Sequence, residues 1–259
     1  MTLFHSVILG IIEGITEFLP ISSTGHLILA SLLLKLSQND FQKFFEVFIQ
    51  SGAIMAVIFI YLRLILSNKL LIKKIIFSFI PTAVIGFLLY KTIKNIFFES
   101  YNLIFFSLIS VGLIFLLTEF LIKKQKLFLQ KSIKDMTITE AIIIGINQAL
   151  SVVPGVSRSG IVIVAMMIMG YRREEAAEYS FLLAVPTILA ASGLDLLKTN
   201  FQLILGDGHL LILSLGLITS FITAYFSIKW LIAYLKKNSL VLFGIYRIIL
   251  AIILLQIIK

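Results

Sequence analysis

The chain contains no cysteine, which excludes disulfides and thiolate chemistry. It is also poor in charge: Asp, Glu, Lys and Arg make up 14% of its 259 residues, where a soluble domain carries about 25%. No hydrophilic segment is long enough for a separate soluble domain. The apolar N-terminal stretch lacks a basic leader and holds Glu13 and Glu17, so no secretory signal peptide is expected there.

What remains is strongly apolar. The composition is 59% hydrophobic with a mean hydropathy of +1.08, and its 22 phenylalanines read as lipid-facing and core bulk. These values define an integral membrane protein. A net charge of +9 would suggest nucleic acid for a soluble chain. Here it is expected to reflect cytoplasmic loops and anionic lipid, with no nucleic-acid partner.

A membrane-spanning helix needs about 20 apolar residues. Six stretches qualify, near 44–62, 70–90, 101–122, 176–197, 209–232 and 240–258. Two other apolar regions, 3–36 and 137–170, are each interrupted by a Pro/Ser/Gly break. Such breaks predict re-entrant helical hairpins, tolerated at membrane depth where they are buried in protein or line a cavity.

The first break follows Glu13-Gly-Ile-Thr-Glu17-Phe-Leu-Pro20-Ile-Ser22-Ser23-Thr24-Gly25-His26. Glu13 and Glu17 are four apart and share a helix face. Two carboxylates so close in low dielectric require a cation or a shared proton. Pro20 stops the helix, and Ser22-Ser23-Thr24-Gly25 caps a second one whose free N–H groups suit an anion. The second break is Pro154-Gly155-Val156-Ser157-Arg158-Ser159-Gly160. Aligning Pro20 with Pro154, a shift of 134, sets Glu13 on Asn147, Glu17 on Ser151, Ser23 on Ser157 and Thr24 on Arg158.

The expected fold is therefore an all-α polytopic membrane protein, with six transmembrane helices and two re-entrant helical hairpins. It forms one integral membrane domain over 1–259, built of two repeats, about 1–125 and 126–259. Three spans per repeat give the halves opposite topology, and such inverted repeats place a site near the midplane.

Basic residues set the orientation. Arg63, Lys69, Lys73, Lys74, Lys123, Lys124, Lys126, Lys131, Lys134, Arg172, Arg173, Lys229, Lys236 and Lys237 fall on one side. Lys35, Lys43, Lys91, Lys94, Lys198 and Lys259 fall on the other, with Arg158 and Arg247 left at depth. The positive-inside rule then puts both termini and the Glu/Ser/His hairpin on the extracytoplasmic side.

An arginine at mid-membrane costs about 2.5–3.5 kcal/mol on insertion scales, so Arg158 needs an anionic partner. The glutamates qualify, and so does a phosphate, which suits a planar guanidinium. Carboxylates for a divalent metal, an arginine with helix N-termini for phosphate oxygens, and a hydroxyl or imidazole for attack make an inventory for phosphoryl transfer. A lipid phosphate is the natural substrate class for a site buried in a lipid-facing fold. Three attacking groups fit these residues: Ser23 with His26 as base, His26 itself, or a metal-bound water. Ser23 is preferred, because it precedes a helix and His26, three residues on, can face it. Ser22, Ser23 and Thr24 can also be plain helix caps, and Arg158 a structural partner of the glutamates. Arg247 beside Tyr246 reads as an interface or packing residue.

With these motifs, together with Phe45-Glu46-Val-Phe-Ile-Gln50, the whole chain resembles the bacterial undecaprenyl-diphosphate phosphatase family, the bacitracin-resistance type. The resemblance implies removal of the terminal phosphate of undecaprenyl diphosphate, a polyprenyl diphosphate lipid, in the bacterial plasma membrane. That reaction recycles the carrier lipid for peptidoglycan synthesis. The resemblance further implies Mg²⁺ or Ca²⁺ at Glu13 and Glu17, and catalysis by Ser23, His26, Glu17 and Arg158. Ser22, Thr24, Gly25, Ser157, Ser159 and Gly160 are expected to line the substrate. Glu46, Gln50, Asn147 and Gln148 are expected around them as supporting residues. Val162 stands where the family often has threonine, so that position is left out of the site.

Two rivals are weighed against this reading. A lipid-phosphate flippase could use the same inverted-repeat site without hydrolysis. An acid-phosphatase-type site needs a later His-x-x-x-Asp, but the histidines are His5, His26 and His209, and position 213 is Leu213. Small residues at Gly52-Ala53 and Ala190-Ala191-Ser192-Gly193 permit close helix contact, within the chain or in a homodimer.

Overall fold

The computed structural model describes residues 1–37, 39–89, 101–199, 206 and 208–258. The described residues form ten α-helices. The first five are α1 (Leu3–Thr16), α2 (Ser23–Leu33), α3 (Asp40–Ser67), α4 (Lys69–Leu88) and α5 (Tyr101–Lys123). The next five are α6 (Ile138–Ala149), α7 (Arg158–Ile168), α8 (Arg173–Lys198), α9 (His209–Leu235) and α10 (Val241–Ile258). Short 3-10 turns occur at Ile133–Asp135 and Leu150–Val152. Lys91, Lys94 and Lys259 of the charge count, and Tyr90 at the end of the second expected span, lie outside the described residues.

The chain is an all-α polytopic membrane protein. Helices α3, α4, α5, α8 and α9 are long and apolar enough to cross a membrane. The last expected span is the shorter apolar helix α10, of 18 residues. Large apolar side chains cover the outside: Leu197 is 84% exposed and Phe87 74%. A water-facing surface rarely carries so much contiguous apolar area, whereas lipid accepts it.

Lipid gives apolar side chains no reason to prefer protein, so small residues and polar contacts must set helix packing. Helices α1 and α9 pack closely, as do α6 and α4. A Cβ added to Gly10 of α1 would lie 2.7 Å from the Gly216 carbonyl of α9. Gly145 of α6 faces the Ser78 carbonyl of α4 in the same way. Ser78 donates to the Ala141 carbonyl at 2.6 Å, and Thr82 to that of Gly145 at 2.9 Å. Gly52 likewise meets the Leu217 backbone of α9, so that close contact is made within the chain.

Helix contacts recur between the halves. The pair α1–α9 has its counterpart in α6–α4, and α3–α9 in α8–α4, while α3–α8 and α5–α10 join equivalent helices. The largest core surrounds the two breaks, with Phe18, Leu19 and Ile21 from the first, Val156 and Ile161 from the second, and Phe115 and Phe181 between. Phe18 and Phe181 meet edge to face, centroids 5.2 Å apart.

At one end of the bundle the basic loops converge. The buried Lys74 donates to the carbonyls of Ile133 and Lys134 at 3.3 and 3.2 Å. Arg173 Nε donates to the buried Glu119 at 2.8 Å, and the same carboxylate accepts the Leu240 N–H at 2.8 Å. A buried charge needs such partners, and here they tie the 124–137 linker to α4 and join α5 to α8 and to the residue before α10.

Candidate functional site

Each break ends on a serine in an unusual backbone conformation. Ser22 has φ 73° and ψ 95°; Ser157 has φ 70° and ψ 112°. Positive φ is costly for a residue with a Cβ. Each serine offsets that cost by capping the next helix. Ser22 Oγ accepts the Gly25 N–H at 3.3 Å, and Ser157 Oγ accepts the Gly160 N–H at 3.2 Å. These caps correspond at a shift of 135, not at the 134 taken from the prolines. Glu13 therefore pairs with Gln148, Ser23 with Arg158, and His26 with Ile161. Pro20 pairs with Gly155, whose φ of 89° suits glycine.

The breaks meet through their charged residues. Arg158 Nη2 donates to Glu17 Oε1 at 3.2 Å, with both side chains 9% exposed. Glu17 Oε2 accepts the Ser23 hydroxyl at 2.6 Å. Arg158 also donates to the Ser180 carbonyl at 2.9 Å and lies over the Phe18 ring. A hydrogen-bonded chain Arg158–Glu17–Ser23 thus crosses from the start of α7 to the start of α2. Ser159 donates to the Leu19 carbonyl at 3.2 Å and sits 3.1 Å from Ser157, which ties the second break to the first.

Several buried atoms here have no partner among the described residues: both oxygens of Glu13, Nε of Arg158 and Oγ of Ser180. Glu13 is fully buried, and the charges of Glu17, Glu46 and Arg158 act on it. Unpaired buried carboxylate oxygens beside a second carboxylate are of the donor type that suits a divalent cation, although among the described residues no three such side chains cluster. An unpaired guanidinium N–H fits an anion.

His26 does not face Ser23 as expected. Its Nδ1 lies 2.7 Å from the Ser22 carbonyl and its Nε2 2.7 Å from the Tyr246 hydroxyl of α10. Its reach runs along the helix and across to α10, so the group touching the Ser23 proton is Glu17.

The supporting residues divide. Glu46 accepts from Ser31 at 3.2 Å and from Gln42 at 2.9 Å, a polar group within reach of Glu13. Gln50 and Thr24 are half-buried, and among the described residues no side-chain hydrogen bond joins either to the cluster. Asn147 is not brought there either: it turns back to the Ile143 carbonyl at 2.9 Å. Gln148 is buried against Thr82 at 2.9 Å and Thr187 at 3.1 Å, serving the α4–α6–α8 contact.

Arg247 is more than a packing residue. It is fully buried and binds both breaks, donating to the carbonyls of Pro20 at 3.2 Å, Gly155 at 2.6 Å and Val156 at 3.1 Å. The signal was present in the sequence: it is the only charged residue in the apolar run of α10.

These features define a membrane-embedded protein with a polar, anion-ready site where two interrupted helices meet. The chain belongs to the family of bacitracin resistance protein BacA, whose profile matches residues 6–253. It is 47% identical to an undecaprenyl-diphosphatase from a Sulfurihydrogenibium species over 98% of both chains. It is 44% identical to the Aquifex aeolicus undecaprenyl-diphosphatase over 98% of this chain and 97% of the relative. It is 43% identical to the Methanococcus aeolicus undecaprenyl-diphosphatase over 99% of this chain and 98% of the relative.

Proposed function

We propose that this chain hydrolyses undecaprenyl diphosphate to undecaprenyl phosphate and inorganic phosphate. It would thereby recycle the carrier lipid for peptidoglycan synthesis and confer bacitracin resistance. The observation that carries the reading is the chain Arg158–Glu17–Ser23, which joins a phosphate-binding cation, a proton acceptor and a hydroxyl at two helix N-termini.

In this reading Arg158 and the N–H groups opening α2 and α7, other than those of Gly25 and Gly160 that the serine caps take, bind the terminal phosphate. Ser23 Oγ attacks its phosphorus and passes its proton to Glu17 Oε2. The bond to the bridging oxygen breaks, and undecaprenyl phosphate leaves. Water then attacks the phosphoserine, its oxygen joins the released phosphate, and Ser23 regains a proton from Glu17. His26 is engaged with Ser22 through Nδ1 and with Tyr246 through Nε2, so a proton of the attacking water would reach it only through the Tyr246 hydroxyl. Glu13 and Glu17 would hold Mg²⁺ or Ca²⁺. Bound there, the ion would supply charge neutralisation for the phosphate oxygens.

The convergence of Lys74, Lys131, Lys134 and Arg173 at one end supports a cytoplasmic position for that end in the bacterial plasma membrane, with the termini outside. The recurring helix contacts support two repeats of opposite topology. They also favour the second reading, a lipid-phosphate flippase. On α8, Ala190 and Ala191 are exposed and Gly193 faces open space, which leaves room for a second copy.

The test is phosphate release from a prenyl diphosphate by purified protein in detergent, with and without a chelator. Metal-dependent release, lost in Ser23→Ala, supports the phosphatase with Ser23 as nucleophile. Lipid binding without release by the folded wild type would overturn it in favour of the flippase.

A further inference from the structure

Helices α3 and α9 touch near mid-length and are parted by a groove toward one end. At the close point a Cβ on Gly52 would lie 2.3 Å from the Leu217 carbonyl. Further along, the Phe59 ring meets those of Phe221 and Tyr225, with centroids 6.2 and 6.1 Å away. Next comes a groove of about 410 Å³. Ile60 and Tyr61 line it from α3, and Ile228, Lys229 and Ile232 from α9. Lys236 and Lys237, just past the end of α9, complete it. This is the end where the basic loops gather. Leu240, three residues past Lys237, donates its N–H to the Glu119 carboxylate that also holds Arg173.

The groove is positively charged. Lys229, Ile232 and Lys236 follow one another at three and four residues, so they share a face of α9, and the lysines are about 10 Å apart along it. Lys229, Lys236 and Lys237 are all exposed. Among the described residues, no carboxylate forms an ion pair with any of them. Lys229 donates to the Tyr225 hydroxyl, and its Nζ lies 4.2 Å from the centroid of that ring. One acidic group acts here: the half-buried Glu178 of α8, whose charge reaches Tyr61 and Lys236. Three cations against one carboxylate leave room for an anion.

The positive-inside rule accounts for lysines in the loop after α9, but not for Lys229 inside the helix with an apolar groove beside it. The setting is that of a membrane interface. Trp230 stacks on Tyr234 with centroids 5.2 Å apart, and with Tyr61 and Tyr225 these rings gather near one end of the bundle, as aromatic belts do. Phe59, Phe226 and Trp230 are exposed around the groove, toward lipid. A soluble anion gains nothing from apolar walls. A lipid can set its phosphate on the lysines and its acyl chains along Ile60 and Ile232. We infer that the groove between α3 and α9 binds the phosphate headgroup of an anionic phospholipid, which bridges the two helices. It shares no residue with the Arg158–Glu17–Ser23 chain and does not rest on the phosphatase reading.

The test is lipid binding by the purified full chain in neutral detergent, read by native mass spectrometry. Phosphatidylglycerol should bind about tenfold more tightly than phosphatidylcholine with the same acyl chains. Lys229→Gln should weaken phosphatidylglycerol about fivefold. The triple variant Lys229→Gln, Lys236→Gln, Lys237→Gln should bring it to the level of phosphatidylcholine. Removing three charges elsewhere, by Lys123→Gln, Lys124→Gln and Lys126→Gln, should leave binding as in wild type. Glycerol 1-phosphate at the concentration of the lipid should displace none of it. Equal binding of the two lipids would overturn the inference, and so would undiminished binding in the triple variant. An equal loss in the Lys123, Lys124 and Lys126 variant would overturn it too, because net charge and not a site would then be responsible. Displacement by glycerol 1-phosphate would assign the groove to a soluble phosphate instead. If the triple variant does not fold, Lys229→Gln decides: unweakened binding there overturns the site.

Discussion

The first and second breaks have nearly the same backbone and opposite chemistry. Both cap a short helix with a serine at positive φ, and both donate a glycine N–H to that serine. The first contributes Glu13, Glu17, Ser23 and His26. At the corresponding positions the second has Gln148, Val152, Arg158 and Ile161. Two cradles of like backbone thus carry different side chains, acidic and hydroxyl-bearing in the first and basic in the second. A phosphate between them would meet both, which neither half offers alone.

Exchanging the charges is the strongest way to break that comparison. Glu17→Arg or Arg158→Glu leaves a buried charge unpaired and should cost about 3–5 kcal/mol. The double exchange should recover most of that stability in thermal unfolding. It should still release no phosphate, because the acceptor is then no longer beside Ser23. Activity in the double variant would mean that the ion pair, not the division of labour, is what matters.

Arg247 joins the two breaks and should affect them together. Arg247→Met strands the carbonyls of Pro20, Ser107, Gly155 and Val156 and should destabilise the protein by about 3 kcal/mol. Hydrogen exchange should rise around Pro20 and around Gly155 alike; a rise at one alone would show that the breaks are held separately.

Smaller effects test the shared scaffold. Gly10→Ala and Gly145→Ala each push a Cβ into a carbonyl on the facing helix, and each should cost about 1–3 kcal/mol. Ser22→Ala and Ser157→Ala remove equivalent caps and should each cost about 1 kcal/mol, while Ser→Gly at either place should cost only tenths. Clearly unequal costs would separate the two cradles. All six are read from thermal unfolding in detergent.

Much of this was legible before the fold. Apolar runs marked the spans to within a few residues, since lipid demands continuous hydrophobic helices. Pro20 and the Ser/Gly clusters marked the breaks, and buried-type charges in apolar sequence marked Glu13, Glu17 and Arg158 as a site. Register was less legible. Proline alignment placed the halves one residue off, because a proline can stop a helix at more than one position of a turn, whereas a cap has one. Asn147 looked like a partner of Glu13 through that same slip.

Composition and pattern were enough to establish a membrane protein of interrupted helices with glutamate, serine and arginine at its breaks. The fold alone decided who meets whom. Glu17, not His26, takes the Ser23 hydroxyl, and His26 turns to Tyr246, 220 positions away. Arg247 reaches two loops that are remote from it in sequence. The reason is physical. Hydropathy acts along one helix and is written locally, whereas hydrogen-bond direction depends on how helices distant in the chain are brought side by side.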